Sequence, residues 1–260
     1  MSELCLIEIP WEARNLGMPA YQLEGDIENY KLVKSILEKK QAQLKENFFV
    51  QLKVDADKIN EALLAQDAGF KLIEMSISPY INLNLVGSEV LSDDIKSIYS
   101  IQPEKIQAIE NYSTSVKHLD STIKNQITEI SKETFTTDRF HMDPACKKSV
   151  ADKRIGLWVE FDIFNDSKNY CTYLETSKGL IGFIIWNKHG FILGGLSKNF
   201  IGKGFGRTLY IQAIRDVMKE GFEEISTNIS INNIPVLNLY SKLDFSFRDP
   251  KYILHYWFQI

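Results

Sequence analysis

The segment GGLSKNFIGKGFGRTLY, residues 194 to 210, holds the residue types best suited to chemistry in this sequence. An apolar strand runs into Gly202, Lys203, Gly204, Phe205, Gly206 and Arg207 and straight on into a helical stretch. Glycines let a backbone approach an anion closely and present successive N–H donors, and a helix start adds the positive end of its dipole. The chemistry this layout supports is the binding of a pyrophosphate. Two better-known phosphate motifs do not fit it. A P-loop needs GxxxxGK[ST], but Ser197 stands where its first glycine belongs and Gly204 follows Lys203; a dinucleotide fingerprint needs GxGxxG, and the spacing here is GxGxG. A glycine triplet alone reads as well as a flexible turn, so a second segment has to decide.

That segment is NNIPVLNLYSKLDF, residues 232 to 245. Asn233 precedes Tyr240 by seven positions, about two helical turns, so both project to the same side of a helix. Taken together, strand, GKGFGRT, helix, strand and NxxxxxLYxKxxF resemble the GCN5-related N-acetyltransferase (GNAT) family from about residue 104 onward. The resemblance implies an acyltransferase that uses acetyl-CoA as co-substrate and needs no metal. It implies that the turn from Gly202 to Arg207 holds the coenzyme pyrophosphate and that the strand at Gly194, Gly195 and Leu196 pairs its backbone with the pantetheine arm. By the same resemblance Asn233 contacts the coenzyme and Tyr240 is the general acid, a role a phenol can fill by protonating a departing thiolate. Glycines such as Gly194 and Gly195 weaken a strand, and strands tolerate them where a bulge forms, a ligand backbone comes close or packing is tight.

Three positions depart from the family pattern. Ile201 replaces the usual glutamine or arginine three residues before the GxG pair, Asn228 stands where many relatives carry a glutamate base, and Asp244 replaces the glycine before Phe245. They imply a backbone-only coenzyme contact at 201, deprotonation of the amine through ordered water, and an altered helix end.

A narrower resemblance rests on ETFTTDRFHMDP, residues 133 to 144, together with IPWEARNLGMPAY near the amino terminus. These look like the two-domain nucleotide-sugar acetyltransferases of surface-polysaccharide synthesis, the dTDP-fucosamine group among them. On that likeness Phe140, His141 and Asp143 border the acceptor site and Arg139 is a phosphate partner of a nucleotide sugar. Each also has an ordinary alternative, since loop arginines are usually solvated, phenylalanines usually core and lone histidines usually structural.

The elements that must position these residues follow from periodicity. The first hundred residues alternate LCLIEI, a helix near 27–45, FFVQLKV, a helix near 56–68 and FKLIEMSIS. A polar stretch near 92–104 marks a boundary, giving an amino-terminal α/β domain at 1–103 and a GNAT domain at 104–260. In the second part come a strand KIQAIENY, helices over STIKNQITEISKETF and 145–164, a three-strand meander, a helix over 207–220, a strand EEISTNISI, a helix over 235–243 and a strand YILHYWF. The fold class expected is mixed α/β, a GNAT fold preceded by a smaller α/β domain that resembles a partial GNAT half. FFVQLKVDADKINEALLAQDAGFKLIE and EEISTNISINNIPVLNLYSKLDFSFRD share one plan, and aligning Phe70 with Phe245 sets Ala65 opposite Tyr240.

Composition bounds the alternatives. With 44% hydrophobic and 25% charged residues over 260 positions the chain is an ordinary globular protein. A net charge of -4 without a basic run argues against nucleic acid, and the absence of a long apolar run argues against a membrane span. Cys5, Cys146 and Cys171 have no CxxC spacing and read as reduced thiols of a cytoplasmic protein. Scattered histidines give no metal cluster, and the exposed faces of a partial first domain leave room for a homodimer. The leading expectation is N-acetylation of the primary amine of a nucleotide sugar; another small-molecule or protein amine, or a non-catalytic acyl-CoA-binding module, are the alternatives.

Overall fold

The computed structural model describes residues 3–86, 110–135 and 138–259. The boundary expected at 103, and most of the strand expected at 105–112, lie outside the described residues. Two sheets carry the fold. The smaller is an antiparallel meander of β5 (Glu110–Ser115), β6 (Tyr170–Thr176), β7 (Gly179–Asn187) and β8 (Gly190–Leu196), in that order. Its central strand β7 is buried from Leu180 to Trp186, as an uninterrupted apolar run requires. Helix α4 (Ser121–Thr134), capped by Asp120, covers one face of this sheet with Ile123, Ile127 and Ile130. Helix α7 (Phe205–Lys219) covers the other with Ile211, Ala213, Ile214 and Val217. A buried relay locks α7 in place: Trp186 Nε1 donates to Thr172 Oγ1 at 3.0 Å, which donates to Asp216 Oδ2 at 2.9 Å.

The larger sheet runs β1 (Cys5–Glu8), β2 (Ala20–Glu24), β3 (Phe48–Asp55), β11 (Ser246–Phe258), β4 (Lys71–Asn82), β10 (Ile229–Ser230), with β9 (Glu224–Ser226) also on β4. Helices α2 (Tyr30–Leu44) and α3 (Ile59–Asp67) pack one face around Val33, Leu37, Phe48 and Leu254. The other face receives α1 (Pro10–Leu16), α5 (Arg139–Met142) and α6 (Lys148–Trp158), which continues as a π turn over Val159–Ile163. The last helix, α8 (Ile234–Lys242), stands between β10 and β11.

The segments on either side of residue 103 exchange strands. β11 lies between β3 and β4, antiparallel to both, and β4 lies between β11 and the β9–β10 pair, antiparallel to all three. The order β3, β11, β4, β10 therefore reads the same when the two copies of the suspected repeat are swapped. Helix ends agree: Phe70 N bonds Ala65 O and Phe245 N bonds Tyr240 O, both at 3.1 Å. Gly69 has φ of 105° and Asp244 a φ of 59°, so the aspartate takes the left-handed backbone that the glycine supplies in the first copy.

Several elements differ from expectation. Helix α1 and strand β2 were not foreseen, although Pro10 at the first helical turn and the left-handed Gly17 at its end are ordinary helix signals. EEISTNISI is broken at Thr227 and Asn228 instead of running as one strand, and β11 begins six residues before Tyr252 because β4 offers a partner edge there.

The two sheets meet where β8 begins. A Cβ on Gly190 would fall on the backbone of Ser226, and the glycine's φ of 117° is one that other residues rarely adopt. Gly190→Ala is expected to destabilise the fold by about 3 kcal/mol or more, measured as the shift in urea unfolding of the purified protein.

Candidate active site

Among the described residues β8 is an edge strand, with no backbone ladder to β9 or β10, although a Cβ on Gly190 would meet Ser226. One edge of β8 pairs with β7 through Gly194↔Ile184 and Gly195↔Phe183, and the other faces the gap between the sheets. At its end the chain makes a turn over Lys198–Phe200 and enters α7 through Gly202 and Gly204, whose φ values of 76° and 87° match a loop that turns back into a helix. Gly204 is the N-cap, so the amides of Phe205 and Gly206 head the 15-residue helix α7 at an exposed turn. This is an anion cradle with a helix dipole behind it. Gly194 and Gly195 are also closely packed, since Cβ atoms there would lie 3.2 Å from Ile184 Cγ1 and 3.1 Å from Ile130 Cγ2.

Tyr240 is 2% exposed and its ring lies edge-on to Tyr210, centroids 5.3 Å apart. Its phenol bonds to the Tyr210 and Thr227 hydroxyls. Burial pushes the Tyr240 hydroxyl well above the usual phenol range and raises Tyr210 as well, so both stay protonated at neutral pH. The Tyr210 hydroxyl lies 3.5 Å from where a Cβ of Gly194 would stand, which puts the pair of phenols at the inner edge of β8. Helical periodicity sets Tyr210 on the apolar face of α7 and does not reveal the partner of its hydroxyl; the one signal is a tyrosine where a leucine would fill the same core. Asn233 is half-buried at the N-cap of α8, its carbonyl accepting from Val236 and Leu237. Ile201 is exposed at the turn, and Asn228 points to β4, its amide donating to Ser76 Oγ at 3.3 Å and Ser78 Oγ at 3.5 Å.

The comparisons with known proteins agree with this geometry. Residues 126–245 match the acetyltransferase (GNAT) family. The chain has a GNAT fold. A GCN5-related N-acetyltransferase from Sphaerobacter thermophilus superposes with a TM-score of 0.63 at 10% identity, covering 99% of this chain and 76% of that one. A conserved protein of unknown function from Staphylococcus epidermidis gives 0.63 at 9% identity over 98% and 91% of the two chains. A tandem GNAT protein from the clavulanic acid biosynthesis pathway gives 0.57 at 12% identity over 93% and 76%. At such identities the likeness is one of fold. No curated protein matches the sequence.

The residues expected to border the acceptor separate into two groups. Phe140 is fully buried against Phe49, His255 and Trp257, with the Arg154 guanidinium 4.2 Å over its ring. Asp143, 2% exposed, accepts from His255 Nδ1 and Trp257 Nε1, each at 2.7 Å, and from the Ala145 amide at 2.9 Å. Both face the protein interior. Burial alone would raise the Asp143 carboxyl, but those donors hold it below its ordinary value. His141 is held between Asp138 at 2.5 Å and Asp152 at 3.0 Å. Arg139 differs, because it reaches over the larger sheet toward Glu12, at 3.4 Å. Among the described residues no three metal-binding side chains converge, and no helix is long and apolar enough to cross a membrane.

Asp143 thus ties α5 and α6 to β11. Asp143→Ala strands two buried donors and is expected to cost about 3 kcal/mol of stability, read from chemical denaturation, without a direct effect at the Gly202–Arg207 turn.

Proposed function

We propose that the protein is an acetyl-CoA-dependent N-acetyltransferase whose acceptor is the primary amine of a nucleotide-activated amino sugar of the dTDP-4-amino-4,6-dideoxyhexose type. The observation that carries the reading is a glycine turn at the head of α7 following a strand whose outer edge is unpaired among the described residues, with the buried phenols of Tyr240 and Tyr210 beside that strand. The residues fit the co-substrate: the amides at the head of α7 suit a pyrophosphate, the free edge of β8 can hydrogen-bond an amide-bearing arm, and Gly194 and Gly195 keep that edge clear of side chains. Acetyl-CoA supplies an activated thioester.

The chain's own groups then have four tasks. The turn from Gly202 to Arg207 binds the pyrophosphate, with Lys203 at its tip. Leu196, Gly195 and Gly194 align the arm so that the thioester points toward the phenols, and Asn233 steadies the coenzyme from the head of α8. The acceptor ammonium gives up one proton, its nitrogen forms the N–C bond as the C–S bond breaks, and the sulfur takes a proton from Tyr240. The second amine proton restores the phenol, so the products are an amide, a thiol and one released proton. A phenol held protonated by burial suits that task.

The test is acetyl-CoA-dependent thiol release by purified protein, offered dTDP-4-amino-4,6-dideoxyhexoses beside spermidine, an aminoglycoside and a lysine peptide. Release with a dTDP-amino sugar alone supports the reading. Release with another amine keeps the transferase and changes the acceptor, and silence with acetyl-CoA still bound points to a binding module. Tyr240→Phe is expected to lower kcat by about 10²-fold with coenzyme affinity unchanged; an unaltered rate would remove Tyr240 from the mechanism.

A further inference from the structure

Outside the groups just used, the face of the larger sheet beneath α1, α5 and α6 carries a polar row beside its apolar cluster of Phe49 and Phe140. One cross-strand row consists of Lys53 on β3, Ile253 on β11 and Glu74 on β4, set by the pairs Ile253↔Lys53 and Ile253↔Glu74. Residues paired across a ladder point to one side, so Lys53 and Glu74 flank Ile253 on the same face, two strand spacings or roughly 10 Å apart. Arg139 reaches over this row, close enough to interact with both Lys53 and Glu74.

The polar groups here are left incomplete. Glu74 takes a hydrogen bond from Ser230 through its carboxyl, while its Oε2 is buried with no partner among the described residues. Arg139 Nε is also buried without one. Orphaned buried polar atoms are costly, so an open donor and an open acceptor on side chains that interact with one another ask for a ligand that completes both. The charges point the same way. Glu12, fully buried, is shared by Arg154, with Nη2 at 2.8 Å and Nε also bonded, and by Arg139 at 3.4 Å. Arg139 is also acted on by Glu74 and Asp138, and Lys53 lies beside it. Burial, then Arg139 and Lys251, lower the Lys53 ammonium's pKa, as expected where a further anion is wanted. Burial pushes the Glu74 carboxyl up, a state suited to accepting a proton.

The geometry points to an acceptor subsite formed by Glu74, Arg139 and Lys53, which takes a molecule bearing a primary amine and an anionic group a ring's width away. Glu74 receives the amine and Arg139 with Lys53 the anion. Resting on the transferase reading, this also assigns the first proton: the ammonium passes it to Glu74 before the nitrogen attacks. The carboxylate missing at Asn228 is thereby supplied from the amino-terminal half, because Asn228 and Ser230 lie along β4 at Ser76, Ser78 and Glu74. The shared chemistry is an amine with a phosphate or a carboxylate.

Titration calorimetry on the full chain separates the possibilities. The probes are dTDP, a dTDP-4-amino-4,6-dideoxyhexose and 6-aminohexanoate, with Glu74→Gln and the rim variant Lys53→Gln. Unchanged acetyl-CoA affinity and near-ultraviolet dichroism control for folding. Glu74→Gln is expected to weaken binding of an amine-bearing probe at least tenfold and leave dTDP unchanged, while Lys53→Gln weakens every anionic probe several-fold. Preference for the nucleotide or for 6-aminohexanoate identifies the anion as phosphate or carboxylate. Wild-type protein that binds no probe, or variants within twofold of wild type on all of them, would overturn the proposal. If binding follows this pattern but no thiol is released, the subsite stands and the transferase reading falls; if thiol release is present and equal in all three proteins, the reverse holds.

Discussion

β3 and β4 follow one another in the chain with one helix between them, an arrangement that ordinarily lets two strands pair. Here the space between them is filled by β11, whose antiparallel ladders on both sides run through Leu254 and His255. Every other packing relation on the larger sheet depends on this insertion. The same strand carries Leu254 into the α2–α3 core on one face, and His255 and Trp257 into the layer under α5 and α6 on the other. Removing it would take the centre from both layers at once, and would leave β3 and β4 with open edges.

The exchange also determines what β9 and β10 lie against. Because β4 pairs with β9 and β10, its side chains Glu74, Ser76 and Ser78 stand where a single GNAT half would have to provide its own neighbours. The break between β9 and β10 divides the chemistry: Thr227 turns to the phenol of Tyr240, while Asn228 and Ser230 turn to β4. A straight strand would place alternate residues on the two faces in the same way but could not hold both sets at these distances from α8 and β4. The aspartate at 244 keeps the end of α8 in the left-handed turn that the first copy reaches with Gly69, so Phe245 still closes against Tyr240.

What was legible in the sequence was local. The glycine turn, the spacing of Asn233 and Tyr240, the meander and the amphipathic faces of α4 and α7 all depend on residues close together in the chain. Phe140 and Asp143 were seen as chemically interesting and are instead structural, because a loop of mixed polar and aromatic residues gives no sign of which side faces in. Glu74 was invisible for the opposite reason. It lies in a strand that reads as ordinary alternation, and only pairing with a segment some 150 residues away brings it beside Ser230. Tyr210 shows a third limit: helical periodicity tells which face is buried and says nothing of where a hydroxyl on that face finds its partner.

The order of synthesis gives the exchange a further meaning. β3 and β4 are made before the strand that joins them, which comes after every other described element. Until then the larger sheet has two half-built edges, and Phe48 on one face and Phe49 on the other lack the strand that completes their layers. Such long-range closure is slow and leaves apolar surface exposed while it is pending.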